Sequence, residues 1–412
     1  MTFPPGEGPP PTSWLAASDP DPFAAPGRLP SGADVVVIGG GLMGVSTAYF
    51  LARGGASVLL LEARRLAWGA SGRNAGICLA GLHPMEDDTV LRKVLSEEGL
   101  DPGYRRTGHL ALAASAEVWE QVRAEAARRP PTASPLHALD REGCVEVLRM
   151  PIAPRFAGGR WMPDGHVIQP ARLVQGLAAA ARRHGARIAT RTRAVRVVAA
   201  REAGLRVRTT RGTVHAGQVV YACNAEVARF CPALGHFVRP VRGQVLATTA
   251  LPPLFGPGMA VDFGSVYWRQ TADGSIVIGG CRSASASDDV DERLDPPVQS
   301  ALEGFLPAAF PGFPRFGVRW RWAGVMDQTA DGRPLIGVVP WANRQWVIAG
   351  FGGHGIPPAL AAGRELAAAM DTGRRTGPVP AFDPARAIRA HQEASQDAHQ
   401  EASQDASQGA KR

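Results

Sequence analysis

A chain of 412 residues with 45% hydrophobic content is long enough to bury a large core and to divide into two domains. Its five cysteines (Cys78, Cys144, Cys223, Cys231, Cys281) show no C-x-x-C spacing and no paired His/Cys cluster, which predicts neither a metal site nor a disulfide framework and fits a reducing, cytoplasmic setting. The formal charge of +8 rests on 43 arginines, the 45 Lys+Arg less Lys93 and Lys411, spread along most of the chain; a nucleic-acid partner is not expected, and neither a membrane span nor a signal peptide is read.

Residues 1–32 are crowded with proline and glycine and read as a flexible arm or a strap on the surface, without a regular element and without chemistry. From Ala33 the pattern sharpens. Asp34 to Ile38 is a short apolar, β-branched run suited to a buried parallel strand, and it breaks into Gly39-Gly40-Gly41-Leu42-Met43-Gly44, a G-x-G-x-x-G. Helix-favouring residues run from Val45 to Arg53, Gly54-Gly55 stop them, and a second strand, Ser57 to Leu61, ends at Glu62. Each piece serves a bound dinucleotide. Gly39 makes the tight turn, Gly41 admits the pyrophosphate to the backbone, and Gly44 lets helix pack on strand. The N–H groups at the helix start, with Leu42 and Met43, meet the diphosphate. Glu62 stands at the strand end to accept from an adenosine ribose, with Ala63 and Arg64 beside it. The loop from Arg64 through Ser71, Gly72, Arg73, Asn74, Ala75 and Gly76 is rich in small residues and donors. It reads either as a track along the rest of a larger cofactor or as an ordinary polar loop.

From Met85 to about Met150 the pattern changes to helices, Glu86 to Glu98 and Ala116 to Arg129, around a strand at Gly108 to Ala113, as an inserted domain would. Pro170 then opens a helix from Ala171 to His184. Alternating residues follow at Arg187 to Val198 and Leu205 to Thr210, where Arg187, Arg191, Arg193 and Arg196 read as a solvated sheet face. The apolar strand Val219 to Cys223 is expected to rejoin the first sheet. Residues Phe237 to Trp322 read as a mostly antiparallel sheet, with strands at Gly243 to Thr249, Ser265 to Gln270, Ser275 to Gly279 and Val318 to Met326 and a turn at Thr271 to Gly274. On them Tyr267, Trp268, Trp320 and Trp322 either line a substrate cavity or fill a core. A strand at Gln345 to Ala349 leads into Gly350-Phe351-Gly352-Gly353-His354-Gly355 and a helix from about Pro358 to Met370, whose N-terminus offers a positive end to a ligand. The tail after Pro384 repeats an octapeptide, His391 to Ala398, as residues 399–406, and is expected to be disordered or transiently helical.

The glycine motif, the Gly-Ala-Ser-Gly-Arg-Asn-Ala-Gly loop, Val-Arg-Pro-Val-Arg-Gly-Gln at 238–244, Asp-Gly-Arg-Pro-Leu-Ile-Gly at 331–337 and Gly-Phe-Gly-Gly-His-Gly at 350–355 together resemble the D-amino-acid oxidase superfamily of FAD enzymes. The resemblance is to the glycine oxidase, sarcosine oxidase and gamma-glutamylputrescine oxidase group and covers about residues 33–372. It implies an α/β (α+β) fold: a Rossmann-like FAD-binding domain (33–84, 160–232 and 328–375) with an inserted substrate domain on a mostly antiparallel sheet (85–159 and 233–327). It also implies extended FAD, with Gly39, Gly41 and Gly44 at the pyrophosphate, Glu62 at the ribose, Ser71 to Gly76 along the inner part and the Val195 backbone near adenine. Gly352, Gly353, His354, Gly355 and Ile356 would sit at the pyrimidine end of the flavin, where a helix N-terminus favours the negative charge that hydride transfer leaves.

The implied reaction is oxidation of a C–N bond of an amine or amino acid to an imine, then hydrolysis, with dioxygen or another acceptor taking the electrons. His354 is either a polariser of the substrate or a brace of its own turn. The sequence departs from the group at several places. Gly324 stands where sarcosine oxidases tie the flavin through cysteine, so non-covalent FAD is expected. Pro357 and Val277 replace two lysines, and Met326 replaces an arginine that binds carboxylate. A bulkier amine, or a substrate gripped by Arg269, Arg282 or Arg242 beside Tyr267, fits those changes. Two alternatives stay open: a flavoprotein subunit of a larger dehydrogenase complex, and flavin-dependent oxidation of a 2-hydroxy acid. A monooxygenase or halogenase fits less well, because Ile348-Ala349-Gly350 lacks the acid those enzymes place late in the chain.

Overall fold

The computed structural model describes residues 12–17, 21–23, 27–79, 85, 88–200, 204–287, 289–373 and 379–387. At its centre is the strand Gly32–Ile38, paired in parallel on one side with Val58–Leu61 and on the other with Gly212–Tyr221. Val35 and Val37 face one hydrophobic cluster while Val36 and Ile38 face another. A strand buried on both faces cannot alternate apolar with polar, which is why the run is continuously apolar. Burial of each such side chain contributes roughly 1.5–3 kcal/mol. The sheet extends through Arg187–Ala189 at one edge and Leu205–Thr209 and Ala194–Ala199 at the other, and Gln345–Ala349 joins Gly212–Tyr221 in parallel. The return of the late strand to the first sheet is thus observed.

The helix that follows the first strand runs Leu42–Arg53, three residues earlier than expected, because Gly41 is its N-cap. It packs on Ala359–Asp371, where Gly363 lies so close that a Cβ there would meet Ser46 Oγ at 2.3 Å. Ser46 Oγ donates to the Ala359 carbonyl at 2.9 Å and ties the two helix starts together.

The second large sheet runs in the order Val318–Thr329, Val238–Thr248, Ile276–Gly280, Val266–Gln270, Gly258–Val261, His109–Ala113, Gly158–Met162, His137–Asp140. Its pairings are antiparallel except Gly258–Val261 with His109–Ala113, which is parallel. The Val238–Thr248 and Val318–Thr329 ladder is long: Val238 packs under the first sheet and Leu246 in the core of the second. A small sheet of Ile77–Cys78, His166–Val167 and Arg105–Arg106 joins the segment after the Gly76 turn to residues ahead of the second sheet.

Several details differ from the sequence reading. Pro296–Ala309 is a helix inside the stretch read as sheet, and Gly258–Val261 is an added strand. Trp268 does not line a cavity: it is fully buried against Phe255, Phe305 and Phe310. Within the segment expected to lack regular structure, Ser13–Ala16 forms one helical turn capped by Thr12, and Trp14, Leu15 and Phe23 are buried. Prolines crowd around this turn but not into it, so its N–H groups remain available. In the tail, Arg386 pairs with Asp331 at 2.7 Å and Ala387 is buried, while the octapeptide repeat lies outside the described residues. Among the described residues no helix is long and apolar enough to cross a membrane.

Candidate cofactor and substrate site

Gly39 has a φ of 117° and its N–H donates to the Leu61 carbonyl at 2.9 Å, which turns the chain sharply off the strand. A Cβ at Gly39 would meet the Ala222 carbonyl oxygen at 2.3 Å, and one at Gly44 would meet the Gly39 oxygen at 1.9 Å. Both are closed to any side chain. Among the described residues, the only atoms within 4 Å of a Cβ at Gly41 belong to Ser71, with Oγ at 3.0 Å, so this glycine borders a cradle rather than a wall. The Leu42 N–H donates to Ser71 Oγ at 2.9 Å, and the N–H groups of Met43 and Gly44, in the first turn, have no acceptor within the helix. The result is a patch of amides at the positive end of a helix.

Glu62 closes one side of that patch. Its Oε2 accepts from Gly40 N–H and its Oε1 from Arg64 N–H, each at 2.7 Å, leaving a lone pair on each oxygen for a further donor. Burial pushes this carboxyl up from its ordinary range, against those two amides, which pull it down. Ala63 sits in the same turn. The carbonyls of Glu62 and Arg64 accept from Thr192 and Arg191 N–H, both at 2.8 Å, which draws the segment before Val195 alongside. The ladder register slips between Ala194 and Arg196, so Val195 sits on a bulge, and it is 55% exposed.

The loop from Ala70 to Gly76 is braced from within. Asn74 Nδ2 donates to the carbonyls of Ala70 and Ser71, and its Oδ1 accepts from Gly76 N–H at 2.8 Å. Gly76 turns at a φ of 67° where a Cβ would strike the Ile168 oxygen at 2.1 Å. Arg73 is buried and not aimed at solvent: it donates to the carbonyls of Trp68 and Ala323 and pairs with Glu292 at 3.0 Å. Burial lowers its pKa. Glu292 also reaches Arg64 at 3.1 Å, so one carboxylate from the loop after Ile276–Gly280 clips two cofactor-side arginines. Gly324, the position on which the expectation of non-covalent FAD rests, lies against Arg73: a Cβ added there would stand 3.0 Å from Arg73 Cβ.

The second glycine turn meets the first. A Cβ on Gly355 would lie 3.3 Å from Met43 Cε. Gly352 and Gly353 both have positive φ, and a Cβ on Gly352 would find no atom of the described residues within 4 Å. Ile356 is buried, and the Ala359–Asp371 helix that follows has no side-chain cap at its N-terminus. One residue passed over in the sequence holds this turn. Asp327, 5% exposed, accepts from Gly350 and Phe351 N–H through its carboxylate and from Gly352 N–H through its carbonyl. Burial raises its pKa against those amides. No spacing in the sequence marks Asp327, since its partners lie more than twenty residues downstream.

The residues expected to touch substrate are not equivalent. Tyr267 and Arg269 lie two apart on Val266–Gln270 and so share a sheet face. The Tyr267 ring covers Gly279, and burial raises its phenol pKa while the nearby Arg282 lowers it. Arg282 is exposed and makes no ion pair among the described residues. Arg269 is instead buried, its guanidinium 4.9 Å from the Trp14 ring centre. Arg242 is held by Asp291 at 3.2 Å and Asp295 at 3.1 Å. His354 is exposed, with Nδ1 3.2 Å from the Gly352 carbonyl oxygen of its own turn. Met326 packs its sulfur against Gly353, and Val277 is buried in the sheet.

These features fit FAD. Glycines that border open space, helix-start amides without internal acceptors, and a carboxylate with lone pairs to spare gather at the start of Leu42–Arg53, where Met43 meets the second glycine turn. A family described as "FAD dependent oxidoreductase" (DAO) matches residues 34–369. The chain is 29% identical over 398 residues to the probable oxidoreductase OrdL of Rhizobium meliloti (strain 1021), spanning 88% of this chain and 89% of that protein. It is 28% identical over 374 residues to gamma-glutamylputrescine oxidoreductase of Escherichia coli (strain K12), spanning 81% and 82%. The solved structure of glycine oxidase from Geobacillus kaustophilus shares the fold, with a TM-score of 0.75 at 23% identity over 86% of this chain and 97% of that one. The chain belongs to the DAO family of FAD-dependent oxidoreductases.

Proposed function

We propose that this protein oxidises the carbon–nitrogen bond of an amine or amino acid to an imine, which water hydrolyses to a carbonyl compound and the released amine or ammonia. Bound FAD, held non-covalently, supplies the acceptor for the hydride; the substrate nitrogen sheds its proton to solvent, and dioxygen or another acceptor takes the electrons onward. The observation that carries the reading is the contact of Met43 with Gly355, which brings two distant glycine clusters to one place. The names of the curated relatives, one of them a gamma-glutamylputrescine oxidoreductase, support the substrate class.

In this reading Gly39, Gly41, Leu42, Met43 and Gly44 hold the diphosphate, Glu62, Ala63, Arg64 and the Val195 bulge hold the adenosine end, Ser71 to Gly76 flank the inner part, and Gly352 to Ile356 meet the flavin. Arg282 receives an anionic substrate group and Tyr267 donates to it, because that arginine keeps its charge for a ligand while Arg242 spends its own on Asp291 and Asp295. His354 braces the turn and faces the substrate from it. The 33–84, 160–232 and 328–375 segments form the cofactor-binding unit and the intervening segments the substrate unit. The test is to release the yellow cofactor with acid, identify it, and then screen amines, amino acids and 2-hydroxy acids for bleaching of the holoenzyme without air. Bleaching by amines supports the reading; bleaching by hydroxy acids alone overturns the reaction class.

A further inference from the structure

The residues ahead of the first strand lie outside the stretch matched by the family, yet they hold the cofactor loop from behind. Thr12 Oγ1 donates to the Gly72 carbonyl at 3.0 Å, and Trp14 Nε1 donates to the Asn74 carbonyl at 2.7 Å. Thr12 Oγ1 also accepts from Leu15 N–H at 3.2 Å, closing the single turn that presents Trp14. That turn is itself anchored. Gln169 Nε2 donates to the Trp14 carbonyl at 3.1 Å, the Arg269 guanidinium covers the Trp14 ring, and Arg269 Nη1 reaches the Gly76 carbonyl at 3.4 Å. Thr12, Trp14, Leu15 and Arg269 are all buried, so these bonds form out of water, where a missing partner is costly.

A peptide unit is planar and trans, so fixing a carbonyl on one side turns the next N–H to the other. With the Asn74 carbonyl held by Trp14, the Ala75 N–H is turned away from the strap. Ala75 is 3% exposed, and no acceptor takes its N–H among the described residues. A buried amide without a partner is rare and calls for an acceptor. On its other side the loop is pinned by the bond from Leu42 N–H to Ser71 Oγ, at the start of the dinucleotide helix. The loop is thus held from both sides by bonds that need no ligand.

We propose that Thr12 to Ala17 form a built-in strap that positions the cofactor loop, with Trp14 and Arg269 as positioning residues that set the aim of the Ala75 amide. The proposal rests on the reading of Ala70 to Gly76 as part of the FAD site. Arg269 thereby acts through Trp14 and Gly76 and not by touching substrate.

The test uses the full chain stripped of cofactor, with Trp14→Ala, Trp14→Phe and Thr12→Val. FAD is titrated back and followed by quenching of flavin fluorescence, and hydrogen exchange across residues 70–78 is measured without FAD. Trp14→Ala is expected to weaken FAD binding about tenfold or more. Trp14→Phe, which keeps a ring over Arg269 but loses the N–H, and Thr12→Val are expected to give smaller losses. Exchange at 70–78 should rise in each while 58–61 stays protected. Should Trp14→Ala fail to fold, the milder pair decides. Unchanged FAD affinity together with unchanged exchange in Trp14→Phe and Thr12→Val overturns the strap. A wild type that binds no FAD overturns the proposed function instead, and the exchange comparison then decides the strap alone.

Discussion

A methyl group added at Gly44 would lie 1.9 Å from the Gly39 carbonyl oxygen, whereas one added at Gly41 meets a serine hydroxyl at 3.0 Å. The first clash is with backbone that cannot swing away; the second is with the end of a side chain that can. Gly44→Ala is therefore expected to destabilise the apoprotein by roughly 1–3 kcal/mol, the usual cost of forcing atoms into a packed place. Gly41→Ala should leave apoprotein melting nearly unchanged and lose FAD, because its methyl points into the cradle. Melting curves and flavin content of the two variants separate the roles. At the substrate end, Arg282→Met should raise KM for carboxylate-bearing amines by roughly 10- to 100-fold, the worth of a charge-assisted hydrogen bond, and spare uncharged amines. An equal effect on both would remove Arg282 from the substrate. Gly39 and Gly44 were legible because the turn and the packing of Gly44 on the Gly39 carbonyl fall within six residues of chain. Asp327 was not, because it earns its burial from amides at Gly350 to Gly352 that only the fold brings to it.

Between elements, Glu98 joins three helices. It accepts from Tyr49 of Leu42–Arg53 at 2.8 Å, follows directly on Thr89–Glu97, and meets Arg183 and His184 at the end of Pro170–Arg183, each at 2.7 Å. Burial pushes its carboxyl up, but bonds from His184, Arg183 and Tyr49 together outweigh that and hold it down at about 2. A carboxylate with a depressed folded pKa adds stability that is full above its unfolded value, near 4.5, and is lost as pH falls toward about 2. Melting temperature should accordingly fall over that window in the wild type. In Glu98→Gln it should start lower at neutral pH and fall less steeply on acidification, and identical slopes would show that the bonds carry no net stability. Element boundaries show the same divide between local and distant causes. The helix Pro296–Ala309 carries a readable spacing of four in Val298, Leu302 and Leu306, but Pro296, Pro297 and Pro307 read as breakers although the first two stand where a first turn tolerates them. The strand Gly258–Val261 is only four residues long; it pairs with Val266–Gln270 just downstream, but its other partner, His109–Ala113, lies far back in the chain.

At the scale of the whole molecule, the cofactor reading makes one demand that no single element can meet. The amides around Gly41 and those around Gly353 are some three hundred residues apart in sequence, and they are joined in the fold by Met43 against Gly355 and by Ser46 against Ala359 and Gly363. Each cluster was legible separately; their meeting came only from the family resemblance, because it depends on the Ala359–Asp371 helix docking on Leu42–Arg53 after every intervening strand is in place. A single FAD that touches both must therefore protect both. Ligand bound at a hundred times its dissociation constant stabilises the native state by about 2.7 kcal/mol, and local opening of each contacted segment is suppressed by the same binding energy. Hydrogen exchange of the holoprotein against the apoprotein should slow at residues 40–46 and at residues 351–358 together, with the loop at 70–76 following. Gly41→Ala, though distant in sequence from the second turn, should abolish the slowing at both. Protection confined to the first cluster would mean that the ligand ends short of the second turn, and the flavin would then have to be placed elsewhere.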